Sequence, residues 1–215
     1  LYFVSGDGGG TGDRKHITEE TSPVLYERDA SVFRIDPTGQ QWECVGSGGR
    51  NPPSLGMNYL GELFSFDSDM EWHVDLPFYR PVRLNHWATG GDQGWQSVGA
   101  YPKYYPDCLP GVLDVGRGSP DWGQFYEHTA FPAHYRDAFL VCDYQWKSAT
   151  SGGYANPGRV VAFHLERSEA TWKAEMTVLA QPKRESDIGF GVVDVEVAPD
   201  GSLMISDHNQ GVWRL

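Results

Sequence analysis

Short apolar runs that end in an aspartate recur along the chain. Four such runs share an apolar residue four positions before the Asp, and the starts of these runs are 60 to 76 residues apart. A second apolar stretch follows each run, so the pattern predicts pairs of neighbouring strands. A period of this length that contains several short strands is typical of β-propeller blades. The runs occupy residues 3–7, 63–67, 139–143 and 203–207.

Turn residues separate these runs and leave little room for helices. The 215 residues include 26 Gly and 14 Pro, and β-branched and aromatic stretches lie between them. This arrangement indicates an all-β protein. We therefore predict a β-propeller, six-bladed when complete, of which residues 1–215 form about four blades as a single domain or its C-terminal portion. Because no starting Met or signal peptide precedes the first predicted strand, we expect a mature or partial piece of something longer.

The net charge of the chain argues against some classes of binding partner. Lys and Arg number 17 and Asp and Glu 29, which gives a formal net charge of −12. Such a charge argues against nucleic acid and against anionic membranes, and no apolar run is long enough to span a membrane. Three cysteines are too few and too scattered for a zinc knuckle or a disulfide framework. Either one pair forms a disulfide or all three are buried or unpaired thiols; Cys142, with apolar residues on both sides, is predicted to be buried.

Three acidic residues lie close together in the stretch FSFDSDMEW. Asp67, Asp69 and Glu71 occupy alternate positions, and carboxylates so close raise each other's pKa unless a cation offsets the repulsion. If the strand continued, all three would lie on one face. Together with backbone carbonyls they would then supply the six to eight oxygen ligands that calcium requires. We therefore predict a divalent cation, calcium, at these three residues.

Two alternatives to this metal site remain open. One is that Asp67 caps a turn while the other acids face solvent or pair with Arg80 and Arg83; the other is a catalytic carboxylate. The stretch LPFYRPVRLNH reads as one strand, which would send the two arginines to opposite faces, so that at most one would reach the acids. Several aromatic residues flank the acids, as they do in sugar-binding sites, although such rings also fill the wedges between blades.

Longer motifs extend through nearly the whole chain. They include SGDGGG, GGRNP, GELFSFDSDMEW, LPFYRPVRLNH, YYPDCLP, FLVCDY and VVDVEVAPDGSLMISD. Jointly these motifs resemble those of soluble quinoprotein glucose/sorbosone dehydrogenase-like β-propellers. The closer resemblance is to the propeller domain of the planctomycete and verrucomicrobial membrane-bound dehydrogenases. The resemblance implies a sugar- or alcohol-oxidising enzyme in the periplasm or outside the cell, with a partner subunit or a fused cytochrome domain.

The resemblance also implies roles for individual residues. Arg50 and Asn51 match the segment that lies over pyrroloquinoline quinone, and Asp7 matches the aspartate that supports a catalytic histidine located upstream of this chain. His86 is the candidate catalytic histidine that this chain itself supplies, if it faces the central channel; the alternative is a core histidine next to a carboxylate. The backbone at Asp69 falls where the family borders a calcium ion.

Departures from the family pattern weaken the quinone assignment. Pro53 replaces a glutamine that touches the cofactor, and Gly191 and Val193 replace two arginines that lie on the quinone. A trianionic quinone without those cations would be poorly neutralised. We therefore predict that this chain alone does not bind pyrroloquinoline quinone tightly.

Three function classes follow from these observations. The first is a dehydrogenase-like propeller that acts on or binds sugars or alcohols. The second is a non-catalytic propeller that binds a glycan or a partner protein. The third is a calcium-dependent, lactonase-like hydrolase. The third class requires acids from different blades to meet at a central ion, and its candidates are Asp7, Asp67, Asp143 and Asp207.

Overall fold

The computed structural model describes residues 1–6, 17–25, 29–95, 108–147, 155–183 and 189–215. Within these ranges the chain contains β-strands, turns and two short 3₁₀ helices, Glu71–His73 and Ala133–Tyr135, and no α-helix. The strands form four antiparallel sheets of three or four strands, each built from consecutive parts of the chain. This meandering order is that of propeller blades, and we call the sheets the first to fourth blades.

The first two blades contain seven strands. The first blade comprises β1 (Tyr2–Val4), β2 (Ala30–Ile35) and β3 (Trp42–Gly49). The second blade comprises β4 (Gly56–Met57), β5 (Leu63–Asp67), β6 (Val82–His86) and β7 (Leu113–Gly116).

The last two blades follow the same plan. The third blade comprises β8 (Pro120–Phe125) and β9 (Phe139–Asp143), then, after a small hairpin of β10 (Trp146–Lys147) and β11 (Ala155–Asn156), β12 (Arg159–Ser168) and β13 (Thr171–Ala180). The fourth blade comprises β14 (Val192–Val197), β15 (Leu203–Asp207) and β16 (Gly211–Arg214).

The strand pattern predicted from the sequence is confirmed. Three of the Asp-ended runs coincide with β5, β9 and β15, and the apolar stretches that follow them form β6, β12 and β16. In the first run, β1 covers residues 2–4, and Asp7 lies outside the described residues.

The core fills the spaces between neighbouring blades. Along β9, Phe139 and Val141 pack against the second blade, whereas Leu140 and Cys142 pack towards the fourth. Alternate residues of a strand point to opposite faces, so a strand buried on both sides is apolar throughout. Full burial of each large apolar side chain contributes about 1.5–3 kcal/mol. Cys142 is fully buried, as predicted.

The chain after β6 returns to the first blade. Ser47 donates its backbone N–H to Gly91 O (3.0 Å), and the N–H groups of Gln93 and Trp95 donate to Ser47 O and Gly48 O, both at 2.8 Å. Residues 90–95 therefore extend the edge of β3. Gly48 has a φ of +79°, and a Cβ there would lie 2.1 Å from Asp92 Oδ1, so this close approach requires glycine.

Two predictions about strand alternation are wrong. β5 ends at Asp67 and the chain then turns into the helix Glu71–His73, so the three acids do not share one face of a strand. β6 begins only at Val82, so Arg80 precedes the strand and alternation does not separate it from Arg83. Both arginines instead reach the backbone carbonyl of Gln93.

Candidate functional site

The strand-end aspartates hold the connections between blades. Asp67 accepts the backbone N–H groups of Arg50 (2.9 Å) and Asn51 (2.8 Å), the residues that lead into the second blade. In the third and fourth blades, Asp143 accepts the N–H of Ser119 at 2.7 Å and Asp207 that of Gly191 at 3.1 Å. These carboxylates are at most 5% exposed, and besides the backbone amides Asp143 accepts from Arg159 Nε and Asp207 from Trp213 Nε1.

One end of the second blade gathers several residues that the sequence singled out. Arg50 Nη2 lies 3.5 Å from Glu71 Oε2, and Ser68 Oγ donates to Asn51 O at 3.1 Å. A Cβ on Gly6 would lie 2.7 Å from Asn51 Oδ1, so the residue before Asp7 packs against this end. Asp7 itself falls outside the described residues, and its role stays a prediction.

Asp69 is a buried carboxyl group at this end. It is 2% exposed, and its Oδ2 accepts the hydroxyl proton of Tyr79 at 2.5 Å. Burial raises the pKa of Asp69 to about 6; the Tyr79 hydrogen bond and Arg50 oppose this rise, and the charge of Glu71 adds to it. A carboxyl group that titrates near neutral pH is suited to exchange protons with a bound hydroxyl group. The sequence indicated Tyr79 only as one of several aromatic residues.

A cluster of buried polar side chains adjoins this end; it consists of Asp67, Arg80, Arg83 and Asn85. Burial raises the pKa of Asp67, and Arg83, its cross-strand partner, opposes the rise. Asn85 Nδ2 donates to Asp67 Oδ2 at 3.1 Å. Arg83 and Arg80 both donate to Gln93 O, at 2.7 and 3.2 Å. Burial and the neighbouring Arg83 lower the pKa of Arg80 to about 10.

The three predicted calcium ligands do not meet around one point. Asp67 faces two backbone amides and Asn85, Asp69 faces Tyr79, and Glu71 lies beside Arg50. In the described part of the chain no three His, Cys, Asp or Glu side chains are grouped so that they could hold a metal ion. Residues Asp67, Asp69 and Glu71 therefore do not fit a shared ion. Calcium binding by this chain stays a prediction.

The residues at the expected quinone position do not fit that cofactor. A Cβ on Gly191 would already lie 2.8 Å from Asn209 Nδ2 and 3.2 Å from Tyr144 Cε2, so a long cationic side chain would need its neighbours to move. Val193 falls at the irregularity in the pairing of β14 with β15 and is half-buried, and Pro53 is exposed. None of the three brings a positive charge to the anionic cofactor.

His86 lies at the opposite end of its strand from Arg83. It pairs with Phe64, whereas Arg83 pairs with Asp67, and three residues of strand span about 10 Å. Its Nε2 is 3.4 Å from Glu62 Oε2, and burial lowers its pKa while Glu62 opposes this effect. The structure does not bring His86 together with Arg50, Asn51 and Asp69. Its contacts agree with the alternative of a core histidine beside a carboxylate.

Of the tryptophans near the acidic residues, Trp72 is the one exposed to solvent. Trp87 and Trp95 are 3% and 2% exposed, and Trp87 packs between the first and second blades, whereas Trp72 on the helix Glu71–His73 is 83% exposed. A flat ring exposed beside carboxylates and an arginine can stack on the C–H face of a sugar.

Comparisons with known proteins show the fold. No family model and no curated protein matches the chain. A protein from Thermus thermophilus whose structure is described as that of a putative oxidoreductase (glucose dehydrogenase) superposes with a TM-score of 0.61 at 19% identity over 99% of this chain and 61% of its own. The pyrroloquinoline-quinone-bound aldose sugar dehydrogenase from Streptomyces coelicolor gives 0.57 at 14% identity, over 99% and 57%. The calcium structure of a Trichoderma reesei carbohydrate-active enzyme of family AA12 gives 0.57 at 14%, over 98% and 64%.

These likenesses confirm the predicted all-β propeller fold. The chain spans about 60% of the length of the structures that it matches. In the described ranges, no helix has both the length and the apolar character that crossing a membrane would require.

Proposed function

We propose that this chain forms part of a dehydrogenase-like propeller that binds a sugar or another polyol and acts on its hydroxyl groups. The observation that carries the proposal is the buried carboxyl of Asp69, which has a pKa of about 6 and a hydrogen bond to Tyr79. It lies close to Arg50 and to the exposed ring of Trp72. The fold, shared with sugar dehydrogenases, supports the same substrate class.

Each residue at this end has a defined task in the proposal. Trp72 stacks on the C–H face of the sugar, and Arg50 and Glu71 hydrogen-bond to hydroxyl groups beside it. Asp69 accepts a hydroxyl proton, for which an acceptor near neutral pKa is most efficient. Tyr79 fixes the orientation of the Asp69 carboxylate through its own hydroxyl.

We further propose that this chain alone does not bind pyrroloquinoline quinone tightly. Two missing cations remove about 3–6 kcal/mol of charge-assisted hydrogen bonding, or two to four powers of ten in affinity. A quinone titration in the presence of calcium should therefore give no sub-micromolar dissociation constant. A sub-micromolar value would overturn this part of the proposal.

Sugar binding is tested by calorimetric titration with a panel of aldoses and polyols. Trp72→Ala should weaken binding of the best ligand at least ten-fold. The matched control is Tyr59→Ala, which removes another exposed ring, 67% accessible, in the turn before β5 at the opposite end of the blade. Binding that neither variant changes, or no binding by the parent, would refute the proposal. A dye-coupled oxidation assay on the same sugars then tests turnover.

A second candidate is a non-catalytic propeller that binds a glycan or a partner protein. The absence of cationic side chains at positions 191 and 193 favours it. Sugar binding with no oxidation, with and without added quinone and calcium, would select this candidate over the first. A lactonase-like hydrolase gains no support, because Asp67, Asp143 and Asp207 are directed at backbone amides.

A further inference from the structure

The three cysteines lie in contrasting surroundings. All three lie within the described ranges, and none of them forms a disulfide. Cys44 and Cys142 are fully buried, whereas Cys108 is partly exposed. Burial raises the pKa of Cys142, and the nearby Asp121, Asp194 and Asp143 raise it further. Cys142 therefore stays a neutral thiol, because both its burial and its charged neighbours oppose the thiolate.

Cys108 lies instead beside a guanidinium group. The Sγ of Cys108 is 2.7 Å, and the Nη2 of Arg80 is 3.3 Å, from the position that a Cβ on Gly94 would take. A negative charge on Cys108, Asp67 or Asp114 would favour the charged form of Arg80. Cys108 is thus an anion-forming side chain that lies close enough to Arg80 to interact with its charge.

Arg80 is a buried cation without a full set of acceptors. It is 5% exposed, and its Nη2 shares the single carbonyl of Gln93 with Arg83. Its Nε and Nη1 have no hydrogen-bond acceptor in the described part of the chain. Asp67, the nearest buried carboxylate, already accepts from Arg50, Asn51 and Asn85. Uncompensated buried charge is costly, and an adjacent thiolate would offset it.

One carboxylate opposes this effect from the neighbouring loop. Asp92 Oδ1 accepts the N–H of Gly94 at 2.7 Å, and Leu109, the residue after Cys108, donates its N–H to Asp92 O at 2.8 Å, so Asp92 lies near Cys108. Asp67 on β5 and Asp114 on β7 are further carboxylates that act on Arg80. The two guanidinium groups, both nearly fully buried, are less screened by solvent than Asp92 and Asp114.

We propose that Cys108 is a covalent modification site, a nucleophilic thiolate that Arg80 stabilises and that reacts with soft electrophiles. With iodoacetamide, the sulfur forms a C–S bond to the methylene carbon while the C–I bond breaks and iodide leaves. The thiol proton goes to solvent before the attack.

The native protein tests this proposal without any substitution. Iodoacetamide is added for short times at a series of pH values, and the label on each cysteine is measured by mass spectrometry after digestion. Cys108 should react at least about ten-fold faster than Cys44 and Cys142 at pH 7. Its pH midpoint should lie at least half a unit below that of Cys108 in the urea-unfolded chain. A midpoint equal to or above the unfolded one, or labelling no faster than Cys142, would overturn the proposal.

Two variants with opposite expected effects test the cause. Arg80→Gln should slow labelling of Cys108 at pH 7 about ten-fold for each unit by which the pKa of the thiol rises, whereas Arg80→Lys should preserve most of the rate. Asp92→Asn keeps the oxygen that caps Gly94 and should speed labelling. Circular dichroism checks that each variant is folded. If Asp92→Asn, when folded, leaves the rate unchanged or lowers it, charge does not control this thiol and the proposal fails.

Discussion

Asp67 and Asp143 occupy the same place in neighbouring blades, yet their charges are balanced differently. Each ends the second strand of its blade, is almost completely buried and accepts a backbone N–H from the segment that enters the blade. Each also lies opposite an arginine in the next strand, Arg83 and Arg159 respectively. Arg159 Nε donates to Asp143 Oδ2 at 2.8 Å, whereas Arg83 donates to the carbonyl of Gln93.

The difference arises from the loop that follows β6. Residues 90–95 return to the first blade and place Gln93 O where it attracts both Arg80 and Arg83. Asp67 keeps amide donors but no direct guanidinium bond, and burial raises its pKa. The repeating strands therefore fix where the carboxylates lie, and the loops between strands decide whether a cation neutralises them. Of the second and third blades, the second is the one whose strand-end carboxylate has no guanidinium hydrogen bond among the described residues.

The sharpest test of this contrast is to remove the paired charge. Asp143→Asn leaves Arg159 without its anionic partner, and the guanidinium can reach water only partly because its side chain is 21% exposed. Loss of one partner of a buried pair should lower the free energy of unfolding by about 3 kcal/mol. Urea unfolding followed by circular dichroism measures the change. A loss below 1 kcal/mol would show that the ion pair does not distinguish the two blades.

The pH dependence of stability tests the raised pKa of Asp69 in the second blade. Because the folded-state pKa of Asp69 is raised from 3.8 to about 6, the folded state holds this proton more tightly than the unfolded state. Its contribution to stability is therefore largest below pH 4, falls as the pH rises to about 6 and then stays low. The full shift corresponds to about 3 kcal/mol.

Asp69→Asn removes this titration while keeping an oxygen that can accept from Tyr79. Relative to the parent, the variant should gain stability between pH 4 and pH 7, measured by urea unfolding in the presence of a chelator. Other groups titrate in both proteins and cancel in the difference. A difference that is constant over this range would contradict the raised pKa.

Calcium should act on the second blade alone. If calcium binds the folded state at the acidic loop of residues 67–71, a concentration 100 times its dissociation constant adds about 2.7 kcal/mol and raises the melting temperature. Asp69→Asn should abolish most of that rise, and Asp143→Asn should leave it unchanged. A parent melting temperature that is the same with calcium and with chelator would reject the site.

The smallest expected change follows from Asp67→Asn. The amide keeps one acceptor oxygen for Arg50 or Asn51 and loses the other, but it also relieves a desolvated charge. These effects oppose each other, so the free energy of unfolding should fall by only about 1 kcal/mol, less than for Asp143→Asn. The same urea experiment measures both variants. An equal or larger loss at Asp67 would show that the amide bonds, and not the arginines, dominate.

The sequence predicted the strands better than it predicted the roles of the acids. The bounds of β5, β9 and β15 were visible because an apolar run that ends in Asp is a local pattern. The partners of Asp67 are backbone amides 16 and 17 residues away, and such groups are present at every position and leave no mark in the sequence. Strand alternation failed at Arg80 because the strand begins two residues later. Tyr79 reaches Asp69 only because the chain turns between them, which composition does not reveal.

The return of residues 90–95 to β3 has a consequence for how the molecule opens. In repeat architectures whose units contact each other only side by side, each unit can open on its own. Its backbone amide protons then exchange with solvent independently of the other units. Here the amides of Gln93 and Trp95, which belong by sequence to the second blade, are protected by carbonyls of the first. The first two blades should therefore behave as one cooperative opening unit, while the third and fourth blades contribute separate ones.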